Sequence, residues 1–330
     1  TVTSQASSGS DRPFLDALLL TLAALRPETR ARLERERLIA PTLQMLLRAS
    51  QRGVEGPEDY RRAVAHPSAF DARRLDPVRM MRLGHALVPD AIPPAPVIDV
   101  LAEDFRDAAG LAGRSERLFD TPAAVARIWR DLSGRRRIVL SAARTRDPNG
   151  RPLRFDWTLL RGRPERVRIS PLSVDGAVAE IEIDWHPPEP AAATGARRAA
   201  RIDVALVVNN GAVDSAPAFL SVLLPHHQRR TYEPGPDGRP RLVEIDYRPR
   251  DPGPAFDPLL FWTAPWRDVF ERDAAGAPAG WTRIEDDRRT RFDAAGRRAE
   301  DGRRLAYRMR RDPDFGPMLQ AELLDGPRAE

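Results

Sequence analysis

Three carboxylates recur at alternate positions of one short segment, where they would share one face of a β-strand. They are Glu180, Glu182 and Asp184, and a strand repeats its side-chain direction every two residues. Paired carboxylates are the groups that a glycosidase places on either side of the bond it breaks. The same alternation is also typical of a solvated strand face whose acids pair with neighbouring arginines. We favour this second interpretation, because arginine is abundant in the chain.

Oxygen-bearing side chains also lie on two turns that are far apart in the sequence. Asp147 and Asn149 belong to an Asp-Pro-Asn-Gly turn, and Asp214 follows an Asn-Asn-Gly turn. Carboxylate and amide oxygens on turns are ligands for Ca²⁺. The alternative is that Asp147 and Asn149 only shape their turn. Neither turn has the dense acidic spacing of a calcium loop, so we favour the turn-forming role and predict no other cofactor.

The most aromatic stretch of the chain is a candidate ligand-binding surface. It contains Phe261, Trp262 and Trp266, and Trp281 follows in the next predicted hairpin. Tryptophan rings can stack on sugar rings, and they can equally bury the edge between two parts of a fold. The sequence leaves both roles open, with burial the favoured one.

Residues 134–225 carry the period-two alternation of apolar and polar side chains that predicts β-strands with one buried face. An irregularity at Ala179 is assigned to a β-bulge. The apolar positions of the three clearest strands are Leu153, Phe155, Trp157 and Leu159; Val178, Ile181, Ile183 and Trp185; and Ile202, Val204, Leu206 and Val208. More continuously apolar strands are predicted at 137–141 and 219–224, and a short one around Val167 and Ile169. Together they predict an antiparallel β-sandwich.

The order of residues in this region resembles PKD-like and cadherin-like domains of the immunoglobulin type. The resemblance rests on the run from Ser141 to Trp157, with its Asp-Pro-Asn-Gly turn and Leu-Arg-Phe-Asp-Trp strand, and on the run from Val208 to Pro217. The Arg- and Pro-rich insertion from His186 to Arg201 departs from that pattern. The resemblance implies an immunoglobulin-like sandwich of the kind found in extracellular adhesion, spacing or carbohydrate-contacting modules.

The N-terminal part is expected to be helical. Residues 1–12 are predicted to be a flexible tail or linker, and residues 13–87 show a 3.6-residue apolar period with prolines at helix starts. Residues 88–133 are predicted to form a Pro-rich connector. It is expected to end in a helix that Asp120 caps and that presents Val125, Ile128, Trp129 and Leu132 on one face.

Residues 226–330 are predicted to form β-hairpins. Three turns of the Asp-Gly or Asp-x-x-Gly kind, at Asp237, Asp273 and Asp293, are each flanked by β-prone runs. An aromatic residue followed by Asp-x-x-Gly and a strand resembles the YD repeats of Rhs-type bacterial surface proteins. The copies are few and irregular, so the resemblance implies hairpins of that kind and not a repeat shell.

Composition restricts the classes of partner. The chain has 330 residues and no cysteine, which excludes disulfides and Cys-ligated metals. All 53 basic residues are arginine, against 48 acids, and the net charge is +5. Because the arginines alternate with acids and no aromatic-basic stripe occurs, we predict no nucleic-acid partner. No segment reaches the ~20 apolar residues that a membrane span needs.

These patterns predict a multi-domain α+β protein with an N-terminal helical bundle, a central PKD-like antiparallel β-sandwich and C-terminal β-hairpins. The leading functional hypothesis is a non-catalytic binding protein of the bacterial exterior, periplasm or cell envelope. Its partner would be a polysaccharide or a protein, including another segment of the same precursor. The alternative is the C-terminal part of a secreted, polymer-degrading hydrolase whose catalytic residues precede Thr1.

Overall fold

The protein combines a small group of helices with several antiparallel sheets. The structure is a computed structural model and describes residues 9–67, 69–187, 201–225, 228–236, 238–247, 265–274, 276–314 and 316–325. Within these residues the α-helices are α1 (Arg12–Ala24), α2 (Pro27–Arg35), α3 (Ile39–Ala49), α4 (Pro57–Tyr60) and α5 (Pro77–Ala86). None of them is long and apolar enough to cross a membrane.

Local chemistry explains where these helices begin. Pro27, Pro57 and Pro77 each occupy a first helical position, where the missing N–H has no partner to lose. Asp76 caps α5, because its carboxylate accepts the Arg79 backbone N–H at 2.9 Å. Residues 13–87 contain helices, as predicted, although Pro41 lies within the first turn of α3 and not at its first position.

Two sheets form a sandwich in the middle of the chain. The first contains β1 (Asp99–Glu103), β4 (Arg135–Ser141), β7 (Val178–Asp184) and β6 (Val167–Pro171), in that spatial order. The second contains β2 (Arg117–Thr121), β3 (Ala124–Ile128), β9 (Ala218–Leu223), β8 (Arg201–Asn209) and β5 (Arg154–Arg161).

The strand order is that of an immunoglobulin-like fold. If β1 and β4–β9 are lettered A to G in chain order, the first sheet reads A-B-E-D and the second contains C-F-G, which is the constant-type arrangement. The hairpin of β2 and β3 extends the second sheet, and β3 runs parallel to β9. The β-sandwich predicted from the alternating strands is therefore present, with the immunoglobulin-like strand order that the resemblance implies.

The two inner faces form one core. Its fully buried side chains from central strands of both sheets are Ile138, Leu140, Ile181, Ile183, Val204, Leu206, Leu220 and Val222. Burying one aliphatic side chain of this size contributes about 1.5–3 kcal/mol to the free energy of unfolding. The alternation predicted the inward positions of Ile181, Ile183, Val204 and Leu206, whereas Val178, predicted with them, is only half-buried.

The register of β7 needs no bulge. Ala179 is fully buried together with Ile181 and Ile183, whereas Val178 is only half-buried. The pairing with β4 runs without a shift from Val178 to Asp184. The inward phase therefore includes Ala179, and the predicted bulge at this residue is wrong.

The helix predicted from Asp120 to Leu132 is also wrong. This stretch holds the end of β2 and all of β3, and β3 has neighbours on both sides. Its Arg127 is fully buried and donates to Glu103 at 2.6 Å and to Asp120 at 2.7 Å. Partners that are distant in the sequence override local helix propensity here, because propensity is a weak preference. The wider region predicted to be a connector, residues 88–133, contains the three strands β1, β2 and β3.

The C-terminal part is a meander of hairpins, as predicted. The strands of this hairpin sheet, in both chain and spatial order, are β10 (Gln228–Pro234), β11 (Pro240–Tyr247), β12 (Trp266–Arg272), β13 (Pro278–Glu285) and β14 (Arg288–Asp293). A separate antiparallel pair follows, formed by β15 (Arg304–Asp312) and β16 (Gly316–Leu324).

Buried polar contacts attach the hairpin sheet to the sandwich. The guanidinium of Arg230 lies 4.4 Å from the ring centroid of Trp185 and donates to the Asp131 carbonyl at 2.5 Å. The Tyr232 hydroxyl donates to the Ser133 carbonyl at 3.0 Å. The segment that links β3 to β4 is thus held against β10.

Candidate functional site

The turn between β12 and β13 brings two aromatic rings together. Gly276 donates its N–H to the Asp273 carbonyl at 2.9 Å and has a φ of +79°, a backbone conformation that favours glycine. This turn sets the hairpin register and places Phe270 directly opposite Trp281. Cross-strand neighbours on one face are close enough for their side chains to interact.

These rings line a cavity of about 300 Å³, which we call the hairpin cavity. Phe270 and Trp281 are both half-buried, and their ring centroids lie 6.3 Å apart. Trp281 is supported from behind by Phe292, which stacks on it at 5.2 Å. Leu132 and Ser133 close the cavity from the sandwich side. The site is a largely apolar depression with a fixed aromatic wall.

Two charged side chains lie on the lining of the hairpin cavity. Glu271 accepts hydrogen bonds from Thr282 at 3.1 Å and from Arg291 at 2.6 Å. Arg272 donates to the carbonyl of Gly276 at 3.1 Å. These bonds hold both groups in place at the edge of the apolar surface. A concave apolar site with a few fixed polar groups is the usual form of a small-molecule site.

Trp266 lies in the core of the hairpin sheet. It is 9 % exposed and stacks on Tyr247 at 4.6 Å. The Arg283 guanidinium lies 4.7 Å from its ring centroid and forms a buried pair with Asp268 at 2.8 Å. The ring is largely buried in the sheet, which agrees with the burial interpretation of Trp266. Phe261 and Trp262, the other two predicted ligand-binding residues of this stretch, lie outside the described residues.

Arg283 keeps its charge although it is removed from water. Burial by itself lowers the pKa of Arg283, but the hydrogen bond to Asp268, the charge of Asp268 and the hydrogen bond to the Tyr307 hydroxyl raise it above its usual range. Burial raises the pKa of Tyr307 to about 12, so its hydroxyl stays protonated. This charged cluster supports the sheet that carries the cavity.

The predicted calcium residues lie where the helices meet the sandwich. One Asp147 oxygen accepts two backbone N–H groups of its own turn, from Asn149 and Arg151, both at 2.9 Å. The other accepts from the Asn210 amide at 2.7 Å, and the Asn149 amide donates to the Pro89 carbonyl at 3.1 Å. These contacts are those of a turn-forming aspartate.

Asp214 makes a different set of contacts. It accepts from Arg61 at 2.8 Å and from the Asn209 amide at 2.6 Å. Within the described part of the chain, no group of three or more His, Asp or Glu side chains gathers as metal ligands would. Calcium binding by Asp147, Asn149 and Asp214 stays a prediction.

The alternating carboxylates of β7 each face an arginine on a neighbouring strand. Asp184 pairs with Arg135 at 2.6 Å, and Glu180 pairs with Arg137. Glu182 lies 3.4 Å from Arg168. The pairing interpretation of Glu180, Glu182 and Asp184 is therefore confirmed.

Sequence reasoning named Trp281 but missed Phe270, Glu271 and Arg272. The signal was present in the Asp273-Ala-Ala-Gly276 turn, because a hairpin closed there pairs residues on either side of it in a fixed register. Leu132 and Ser133 had no comparable signal, since they reach the cavity only through the packing of the hairpin sheet on the sandwich.

The solved structures that resemble this chain include three distant likenesses. No protein-family profile matches the chain, and no curated protein does. A solved nucleoside hydrolase-related hypothetical protein from Saccharophagus degradans, associated with carbohydrate metabolism, is 20 % identical with a TM-score of 0.23. It aligns with 45 % of this chain, and this chain spans 29 % of that protein.

Two further solved structures that resemble the chain are immunoglobulin modules. The N-terminal Ig1-2 module of the Drosophila receptor protein tyrosine phosphatase DLAR is 13 % identical over 71 % of this chain and 98 % of its own, with a TM-score of 0.19. Tandem Ig repeats of Dlar are 11 % identical over 70 % and 97 %, with a TM-score of 0.17. At such scores these proteins say nothing about the function of this chain.

Proposed function

We propose that this protein is a non-catalytic binding module that holds a polysaccharide segment at the hairpin cavity. The observation that carries the proposal is the half-exposed pair of Phe270 and Trp281 on a largely apolar wall, with Glu271 and Arg272 fixed at its edge. A sugar ring has a C–H face and a rim of hydroxyls. The aromatic wall can pack against the C–H face, and the two charged groups can form hydrogen bonds with the hydroxyls.

The support for an exterior location is the resemblance of the sandwich to PKD-like domains. The Asp147–Gly150 turn leads into β5, and the Asn209–Asp214 turn leads towards β9. We propose on this basis that the chain works in the bacterial periplasm, envelope or exterior. A binding module in that location would be in contact with polysaccharides.

A glycan array followed by titration monitored by tryptophan fluorescence tests the proposal. We expect a response to at least one polysaccharide, and we expect Trp281→Ala and Phe270→Ala each to weaken it by about tenfold or more. Phe270→Ala covers the case in which Trp281→Ala destabilises the sheet through its contact with Phe292. Phe119→Ala is the matched control, because Phe119 is an exposed aromatic residue on β2 of the sandwich.

Three outcomes would contradict the proposal. One is no response to any glycan, which would leave a protein as the partner. Another is an equal loss in the Phe119→Ala control. Release of new reducing ends from a bound glycan would show a hydrolase in place of a binding module.

A further inference from the structure

A second cavity lies between the helices and the sandwich, away from the hairpin sheet. Its volume is about 380 Å³, and we call it the junction groove. The helical side contributes Leu46, Leu83 and Leu87, and the turn after β8 contributes Val213. The groove is mainly apolar and large enough for roughly a dozen non-hydrogen atoms, since a water-sized group takes about 30 Å³.

The charged residues that line the junction groove differ in how they are paired. Arg61 is satisfied by Asp214 at 2.8 Å and faces Asp156 at 3.6 Å. Glu55 is exposed to solvent. Arg79 is half-buried and forms no ion pair within the described ranges of the chain. Arg79 is therefore a partly desolvated cation beside apolar walls, with no ion-pair partner in the described part of the chain.

The backbone position of Arg79 is fixed at the first turn of α5. Asp76 accepts its backbone N–H, and the α5 glycine, Gly84, packs against Thr21 and Leu25 of the first helix and its end. A guanidinium stays charged at every physiological pH, and it binds carboxylates with two parallel N–H donors. A ligand that supplies a carboxylate next to an apolar body would satisfy both the cation and the walls.

We propose that the junction groove binds a small amphipathic anion, a carboxylate attached to an apolar body of about ten carbon atoms. The carboxylate pairs with Arg79, and the body lies against Leu83, Leu87 and Val213. This site is separate from the hairpin cavity, and its occupancy does not depend on carbohydrate binding.

Calorimetric titration of the full chain with decanoate and with 1-decanol, both below their aggregation limits, tests the proposal. We expect decanoate to bind at least tenfold more tightly than 1-decanol, because only decanoate supplies the counter-charge. Arg79→Gln should weaken decanoate binding by about tenfold and leave 1-decanol binding unchanged. Glu55→Gln should leave decanoate binding the same or strengthen it, since it removes a negative charge at the groove.

The control variants distinguish the loss of the Arg79 charge from a general disturbance of the fold. Arg82→Gln changes an exposed arginine on the same helix and should leave decanoate binding unchanged. Val213→Trp should block both ligands by filling the apolar space. Equal affinities for decanoate and 1-decanol, binding of neither, or an Arg79→Gln variant that binds decanoate as tightly as the parent chain would each overturn the proposal.

Discussion

Two buried arginines, one on a helix and one in the hairpin sheet, are held in different ways. Arg283, in the hairpin sheet, is 3 % exposed and pairs with an equally buried Asp268. Arg48, on α3, is 7 % exposed and has no carboxylate partner in the described residues. Its guanidinium lies between the rings of Phe70 and Phe219, at 5.0 and 5.3 Å.

This difference in pairing shifts the pKa values of Arg48 and Arg283 in opposite directions. Burial lowers the pKa of Arg48 to about 10, and no nearby carboxylate reverses the shift. The pKa of Arg283 lies above its usual range because Asp268 and Tyr307 outweigh the effect of burial. The hairpin sheet thus depends on an ion pair, whereas the helix–sandwich contact holds its cation with aromatic faces and a 3.3 Å hydrogen bond to His66 Nδ1. The two regions should respond differently when a charge is removed.

Removing the carboxylate from the hairpin pair should have the largest effect. Asp268→Asn leaves the buried Arg283 charge uncompensated, so we expect the free energy of unfolding to fall by about 3–5 kcal/mol in urea denaturation. Glu244→Gln is the control, because Glu244 pairs with the more exposed Arg267 at 3.6 Å. It should cost no more than about 1 kcal/mol. Equal losses in the two variants would contradict the importance of the buried pair.

The second largest effect should be a pH dependence of the free energy of unfolding, caused by His66 at the contact between the helices and the sandwich. Burial and the charge of Arg48 lower the pKa of His66 to about 3, far below its usual value. Above about pH 6.5 His66 is neutral whether the chain is folded or unfolded. Below that pH the unfolded chain takes up the proton and the folded chain does not until about pH 3. Stability should therefore fall as the pH decreases through this window, by at most about 1.4 kcal/mol per pH unit.

Urea denaturation at pH 7 and pH 5 measures this effect. The contribution of His66 should be about 2 kcal/mol between these two pH values. His66→Gln keeps a hydrogen-bonding side chain but cannot titrate, so its stability should decrease less over the same interval. If parent and variant lose the same amount, His66 is not the group that titrates.

Removing the unpaired cation should have a small effect. Arg48→Met gives up two cation–π contacts, each worth about 0.5–2 kcal/mol, and the hydrogen bond to His66, but it also ends the burial of a charge. We expect a change in the free energy of unfolding within about 1 kcal/mol, measured in urea. Arg283→Met is the matched substitution at the paired site and should cost several-fold more, because it leaves Asp268 buried and alone. A loss above about 3 kcal/mol in Arg48→Met would show that this arginine has a counter-charge.

Metal removal should have the smallest effect of all. Asp147 already accepts three hydrogen bonds and Asp214 accepts two. Because these bonds satisfy both carboxylates without a metal, we expect the melting temperature to be the same with EDTA and with added Ca²⁺. A rise with Ca²⁺ that Asp147→Asn abolishes would instead establish the calcium site.

Prediction from sequence succeeded where a local pattern and the tertiary environment agree. The inward phase of β8, from Ile202 to Val208, follows directly from its alternation, and Pro27 and Pro57 mark helix starts correctly. It failed at β3, where Val125 and Ile128 have helical spacing but lie in a strand. Local spacing cannot report that β9 lies alongside and supplies the hydrogen-bond partners.

The residues of the candidate sites were likewise predictable only where a local sequence pattern indicated their role. Trp281 was identifiable as a large aromatic residue beside a hairpin turn, and the role of Asp147 in its turn followed from the Asp-Pro-Asn-Gly run. The burial of Trp266 was left as one of two alternatives, because aromatic content alone does not distinguish a core residue from a binding surface. Stacking on Tyr247 decided it.

The sequence by itself determined the order of the parts, helices then sandwich then hairpins, since each has its own period of apolar residues and its own turn residues. It also determined the inward phase of β8 and, from Ile181 onwards, of β7, and it indicated that the β7 carboxylates pair with arginines. Only the tertiary structure decided that Arg48 and Arg79 have no ion-pair partner among the described residues. It also decided that Trp266 is buried whereas Trp281 is half-exposed, and where the two cavities lie. These properties depend on contacts such as Leu132 with the hairpin sheet and Val213 with the helices. Residues so far apart in the chain leave no joint signal in a single sequence.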